Sequence, residues 1–271
     1  MPYLSPALNV MIAAARKAGR GLVRDFGELE QLQVSMKGPA DFVTVADERT
    51  ERILIEELSR ARPGYGFLVE ESGIIEGPDK THRFIIDPLD GTTNFLHGIP
   101  QFAISIALER EGQIVSGVIF NPVTAELFVA EKNHGAFLNE RRLRIAARQN
   151  LKHALFATGI PFLGREGHEL FLAELAEVMA VTSGVRRFGA ASLDLAGVAA
   201  GRFDGFWERG LSPWDMAAGI LLVREAGGVV SDLNGGARMF DEGSIVCANE
   251  PLYPQLMKLL KEAKTKRSQR S

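Results

Sequence analysis

The chain has 271 residues, 46% of them hydrophobic and 24% charged, which is enough to bury a substantial core in an ordinary globular fold. A formal net charge of -3 argues against bulk attraction to nucleic acid or an anionic membrane. A single cysteine, Cys247, rules out an internal disulfide and any cysteine-rich metal cluster. Cys247 sits in an apolar run and reads as a small buried hydrophobe.

Residues 5–26 predict an amphipathic helix with Leu8, Ile12, Ala15, Leu22 and Phe26 along one face. Phe42–Ala46 is a short apolar segment, followed by a second helix over 47–60 with Ile53, Leu54 and Leu58 inward. Tyr65–Val69 and Arg83–Asp87 read as strands that end in acidic residues. Phe102–Leu108, Ile114–Phe120 and Glu126–Ala130 are separated by turn chemistry and predict an antiparallel meander. From about residue 146 the rhythm changes. Strands near 154–159, 185–188, 205–208, 228–232 and 244–248 alternate with helices near 166–182, 192–200, 213–226 and 251–264. This predicts an α/β (α+β layered) fold. No linker divides the chain, so we expect one domain. Its α+β half covers about 1–145, its α/β half about 146–265, and a disordered basic tail 266–271 (polar from Lys264). No apolar run reaches the roughly 20 residues of a spanning helix, and no secretory signal is evident, so a cytoplasmic location is expected.

The segment Ile86-Asp87-Pro88-Leu89-Asp90-Gly91-Thr92-Thr93-Asn94-Phe95 carries the most chemistry. Pro88 helps to end a strand, so that Asp87 and Asp90 can point into one space. Two carboxylates and a backbone carbonyl suit a hard cation such as Mg²⁺. Gly91 lets a phosphate approach the backbone, and a helix starting near Thr92 would favour an anion there. The plainer alternative is a capped turn, for which Asp, Pro, Gly, Thr and Asn are all suited. Upstream, Glu70 and Glu71 end a strand and, taken alone, read as surface acids. Downstream, Trp214-Asp215 opens an apolar helix. Asp215 reads either as a capping residue or as a buried carboxylate in need of a metal.

Together these segments resemble the signature blocks of the inositol monophosphatase family, lithium-sensitive and magnesium-dependent phosphatases. The likeness runs from Lys37…Thr44…Asp47 through Ile86–Phe95 to the Trp214-Asp215 block and Glu225-Ala226-Gly227-Gly228. It implies an αβαβα sandwich, two to three Mg²⁺ ions per site, and a cytoplasmic homodimer. Glu70, Asp87, the Leu89 carbonyl, Asp90 and Asp215 would hold the metals. Glu70, Asp47 and Thr92 would activate water for in-line attack on phosphorus. Gly91, Thr92, Gly189, Ala190, Ala191 and Glu208 would bind a small phosphorylated polyol or sugar. Inositol monophosphate is the leading substrate. Histidinol phosphate, fructose bisphosphate and a nucleotide 3'-phosphate are alternatives, because Ala190 lacks a hydroxyl that several members carry. Some bacterial relatives also contact the transcription machinery, and Arg186-Arg187 beside Phe188 would suit such a surface. His97 reads as a structural or rim residue.

Overall fold

The computed structural model describes residues 5–29, 34–38 and 41–268. Ser5 caps the first helix, α1 (Pro6–Phe26), by accepting the Leu8 N–H, and Pro6 occupies a first-turn position where its missing donor costs nothing. A hairpin, β1 (Val34–Gly38) and β2 (Asp41–Thr44), leads into α2 (Val45–Ala61). The apolar segment Phe42–Ala46 is thus divided between the end of β2 and the first turn of α2. The larger sheet follows: β3 (Tyr65–Val69), β4 (Gly73–Ile75) and β5 (Asp79–Asp90), then α3 (Thr92–Leu96), then β6 (Ala103–Arg110), β7 (Gln113–Asn121), β8 (Glu126–Glu131), β9 (Gly135–Leu138) and β10 (Arg141–Arg142). Its order is β10-β9-β8-β7-β6-β5-β3-β4, and only β3 and β5 run parallel. The predicted meander is there, with β9 added beside β8 and with β4 and β10 as short edge strands.

The second half contributes β11 (Leu155–Thr158), α4 (His168–Met179), β12 (Gly184–Arg186), α5 (Ala191–Ala199), β13 (Gly205–Arg209), α6 (Pro213–Glu225), β14 (Val229–Ser231), α7 (Met239–Glu242), β15 (Ser244–Ala248) and α8 (Tyr253–Ser268). Its five strands lie in the order β12-β11-β13-β15-β14. Of the disordered basic tail expected from Lys264, residues up to Ser268 are helical and 269–271 lie outside the described residues. Lys266 pairs with Glu177 at 2.7 Å.

Three cores separate five layers. One lies between α1 and α2 and the outer face of the large sheet, with Leu8, Met11, Leu54, Phe84, Phe95 and Phe102 at its centre. A second lies between the two sheets around α5 and α6, and it draws residues from both halves of the sequence. A third joins the small sheet to α4 and α8 through Phe156, Trp207, Leu256 and Leu260. The result is an αβαβα sandwich. Every residue of α5 is buried, which explains its run of small and aliphatic side chains. Cys247 is fully buried and burial pushes its thiol up, so it is packing and not a nucleophile.

Candidate active site

The carboxylates meet because of a bulge. Side chains three residues apart on a regular strand point to opposite faces of the sheet. Here Asp87 faces Ser105 while Asp90 faces Ala103, so three steps along β5 match two along β6. The extra residue turns Asp90 to the same side as Asp87. Pro88 therefore does not end the strand: β5 continues through it to Asp90. Behind the motif, Phe26, Phe95 and Phe102 pack with ring centroids 5.0–5.7 Å apart and anchor α3.

Asp215 comes from the first turn of α6. One carboxylate oxygen from each of Asp87, Asp90 and Asp215 lies within 4.8 Å of the others. Glu70 follows β3 at the level where its N–H bonds Ile86, and it lines the same cavity as Asp90 and Asp215. Each acid is held by donors on one oxygen. Asp87 Oδ1 accepts the Leu89 N–H at 2.9 Å, Asp215 Oδ2 accepts the Ser212 N–H at 2.7 Å, and Asp90 Oδ2 accepts both the N–H and the hydroxyl of Ser192 at 2.8 and 2.5 Å. Asp215 is thus both of its expected alternatives, a capping side chain and a member of the cluster.

Burial, then like charge, raises the pKa of all three. Asp87 is pushed well above the carboxylate range by desolvation, Glu70, Asp90 and Asp215. Asp215 rises to about 8 through burial and Asp90. Asp90 rises to about 6, mainly through burial, against the Ser192 donors that lower it. A low-dielectric cluster of acids that repel one another is a poor structural motif and a good receptor for a hard divalent cation. The residues therefore fit a metal.

Asp47 stands beside this cluster. Its Oδ2 accepts the N–H and hydroxyl of Thr44 at 2.8 and 2.5 Å, and its Oδ1 accepts the Thr92 hydroxyl at 3.1 Å. Burial lifts it to about 6. The Thr92 oxygen also lies 3.0 Å from the Leu89 carbonyl, and with one proton it can satisfy only one of the two at a time. Lys37 falls in β1, but its side chain lies outside the described residues.

The cavity holds about 260 Å³ and is lined by Thr92, Gly91, Gly189, Ala190, Ala191 and Glu208 as well as Glu70, Asp90 and Asp215. The glycine at 91 has a different reason from the one its neighbours suggest. Its φ is +93°, and a Cβ there would lie 2.9 Å from the Gln101 carbonyl and 3.3 Å from Ala190 Cβ, so it is a packing requirement. The helix after it has only five residues, so free N–H groups remain at its start but a macrodipole contributes little. Glu208 is driven to about 8 by burial, Asp215 and Asp90, with Arg187 and Arg165 opposing. Its carboxylate packs on Gly159, where any methyl would overlap it. His97 is exposed and closes α3 at its C-terminal end, and it is not among the residues that line the cavity.

Sequence reasoning missed two residues. Asn94, 6% exposed, donates to the Phe188 and Gln101 carbonyls at 2.7 and 2.8 Å and pins the 188–189 loop against α3. Its place inside the Gly91–Phe95 motif was the available signal. Ser192, fully buried on α5, had none.

A sequence profile described as the inositol monophosphatase family matches residues 3–265. The chain belongs to that family, a metal-dependent group of phosphoric monoester hydrolases. An inositol-1-monophosphatase of Mesorhizobium japonicum is 62% identical over 258 residues, covering 95% of this chain and 97% of its own. The Nus factor SuhB of Pseudomonas aeruginosa is 45% identical, with coverages of 94% and 95%. Among solved structures, the extragenic suppressor protein suhB of Bartonella henselae superposes with a TM-score of 0.93 at 60% identity. That match spans 95% of this chain and 99% of the other. No helix among the described residues is long and apolar enough to cross a membrane.

Proposed function

We propose that the chain hydrolyses a myo-inositol monophosphate to myo-inositol and phosphate, with magnesium as its cofactor. The observation that carries this reading is the convergence of Asp87, Asp90 and Asp215 oxygens within 4.8 Å, beside the cavity that Asp90 and Asp215 line together with Thr92 and Glu208. Glu70, Asp87, the Leu89 carbonyl, Asp90 and Asp215 are the donors for two to three Mg²⁺ ions. Bound there, the ions supply the positive charge that admits a phosphate dianion, acidifies a water and stabilises a departing alkoxide.

The chain's own residues account for the rest. When the Thr92 hydroxyl donates to Asp47 Oδ1, its oxygen can accept a hydrogen bond from the attacking water, and as the water's proton moves to Thr92 the Thr92 proton passes to Asp47. Asp47, with a pKa of about 6, is mostly ionised at neutral pH and can take up the charge of that shift, as can Glu70. The water oxygen attacks phosphorus in line, the phosphorus–oxygen ester bond breaks, and the released polyol oxygen takes a proton from solvent water. Gly91 and Thr92 contact the phosphate, while Gly189, Ala190, Ala191 and Glu208 face the polyol hydroxyls.

Ala190 offers no hydroxyl, so histidinol phosphate, fructose bisphosphate and a nucleotide 3'-phosphate form the second reading. A phosphate-release screen separates them. It compares inositol 1-phosphate, histidinol phosphate, fructose 1,6-bisphosphate and adenosine 3',5'-bisphosphate, with and without Mg²⁺. No release from inositol 1-phosphate, or release that ignores Mg²⁺, overturns the first reading. Lithium inhibition, a cytoplasmic location and a homodimer complete the proposal. Exposed Leu172, Met179 and Phe188 support the last of these as apolar surface. Exposed Arg186 and Arg187, together with relatives named Nus factor SuhB, support a transcription-machinery contact, which a pull-down with RNA polymerase tests.

A further inference from the structure

The three clustered aspartates are not held alike. Asp87 is tied by the N–H two residues ahead of it, and Asp215 by the N–H three residues behind, so each is set by its own local turn. Asp90 is tied across the molecule. Its donors are the backbone N–H and hydroxyl of Ser192, 102 residues away, helped by the Ala191 N–H. Ala190, at the N-cap of α5, supplies no side-chain cap, and the Asp90 carboxylate fills that place. Because α5 is buried along its whole length between the two sheets, Ser192 is a rigid anchor. With Oδ2 taken twice, Oδ1 is the oxygen left for the cluster. Ala190 and Ala191, two residues and one residue before Ser192, line the same cavity as Asp90 and Asp215.

We infer that Ser192 is a positioning residue: its hydroxyl fixes the rotamer of Asp90 so that one oxygen is presented to the metal centre, and it ties that centre to the Gly189–Ala191 substrate wall. The inference rests on the metal reading above. Donors that hydrogen-bond to a metal ligand typically change affinity about 10–100-fold when removed. Ser192→Ala deletes the hydroxyl and keeps the backbone N–H, so a loss near the lower end, about tenfold, is expected.

The test uses full-length, metal-stripped protein and Mg²⁺ in isothermal titration calorimetry. Ser192→Ala should raise the Kd about tenfold, and Ser192→Cys, with its weak S–H donor, should fall between. Steady-state assays should show the Mg²⁺ requirement shifted by the same factor, with kcat recovered at saturating Mg²⁺. A hydroxyl that serves only to hold α5 would lower the metal-free Tm and leave the Kd within twofold; that result overturns the inference while the metal reading stands. If Ser192→Ala does not fold, Ser192→Cys decides on the same criterion. Wild-type protein that binds no Mg²⁺ overturns both.

Discussion

Replacing Asp90 by asparagine should make the metal-free protein more stable and the enzyme inactive. The Asn oxygen can still accept from Ser192, which turns its NH₂ toward Asp87 and Asp215, where a ligand oxygen is needed. The charge removed lies within 4.8 Å of two other carboxylates. At an effective dielectric of 20, one such pair costs about 332/(20 × 4.8), or about 3.5 kcal/mol when both are ionised. The displacement of Asp90 from 3.8 to about 6, caused first by burial and only then by neighbouring charge, corresponds to a total of about 3 kcal/mol for ionising this buried group. Losing a charge-assisted contact at the start of α5 returns up to about 1 kcal/mol. A net gain of about 2 kcal/mol remains, or a rise of roughly 4–8 °C in Tm for a chain of this size. Differential scanning fluorimetry at pH 8 in a chelator measures it, and phosphate release with saturating Mg²⁺ measures the other half. A variant less stable than the parent without metal, or one that keeps near-normal turnover, would refute the idea that this cluster trades stability for cation binding.

The pH dependence has a definite sign. Asp215 and Asp90 are raised in the fold, so the folded state holds more protons than the unfolded one between about pH 4 and 8. Metal-free Tm should therefore fall as pH rises through that window, and the Tm gain on adding Mg²⁺ should grow over it; a flat metal-free profile contradicts this. Gly159→Ala should force Glu208 aside and raise KM about tenfold or more while leaving Mg²⁺ affinity near normal, read from kinetics and calorimetry. Asn94→Ala leaves the Phe188 and Gln101 carbonyls without their donor, which should cost about 1–3 kcal/mol in urea unfolding and loosen the 188–189 loop.

The parts of the site that were legible in the sequence are those written in contiguous segments. Asp87, Asp90 and Thr92 share ten residues with the glycine and proline that shape them, and Asp215 sits beside Trp214 at an evident helix start. Helix and strand periods predicted a layered α/β fold and the five-layer sandwich came from the family resemblance, while β4, β9 and β10 are too short to show a period. What stayed hidden depends on pairing. The bulge that aligns Asp87 with Asp90 exists only against β6, and a serine in an apolar helix reads as filler until the fold places it beside a carboxylate 102 residues away. Pro88 was misread for the same reason: its local effect is to stop a strand, and the sheet carries the strand past it.

The bulge in β5 also sets what this stretch can tolerate. Lengthening or shortening the chain by a single residue between Asp87 and Asp90 would send one carboxylate through the sheet into the aromatic layer beneath α1. Pro88 and Leu89 are thus open to exchange for other side chains far more readily than to insertion or deletion, because here the spacing itself is the functional element.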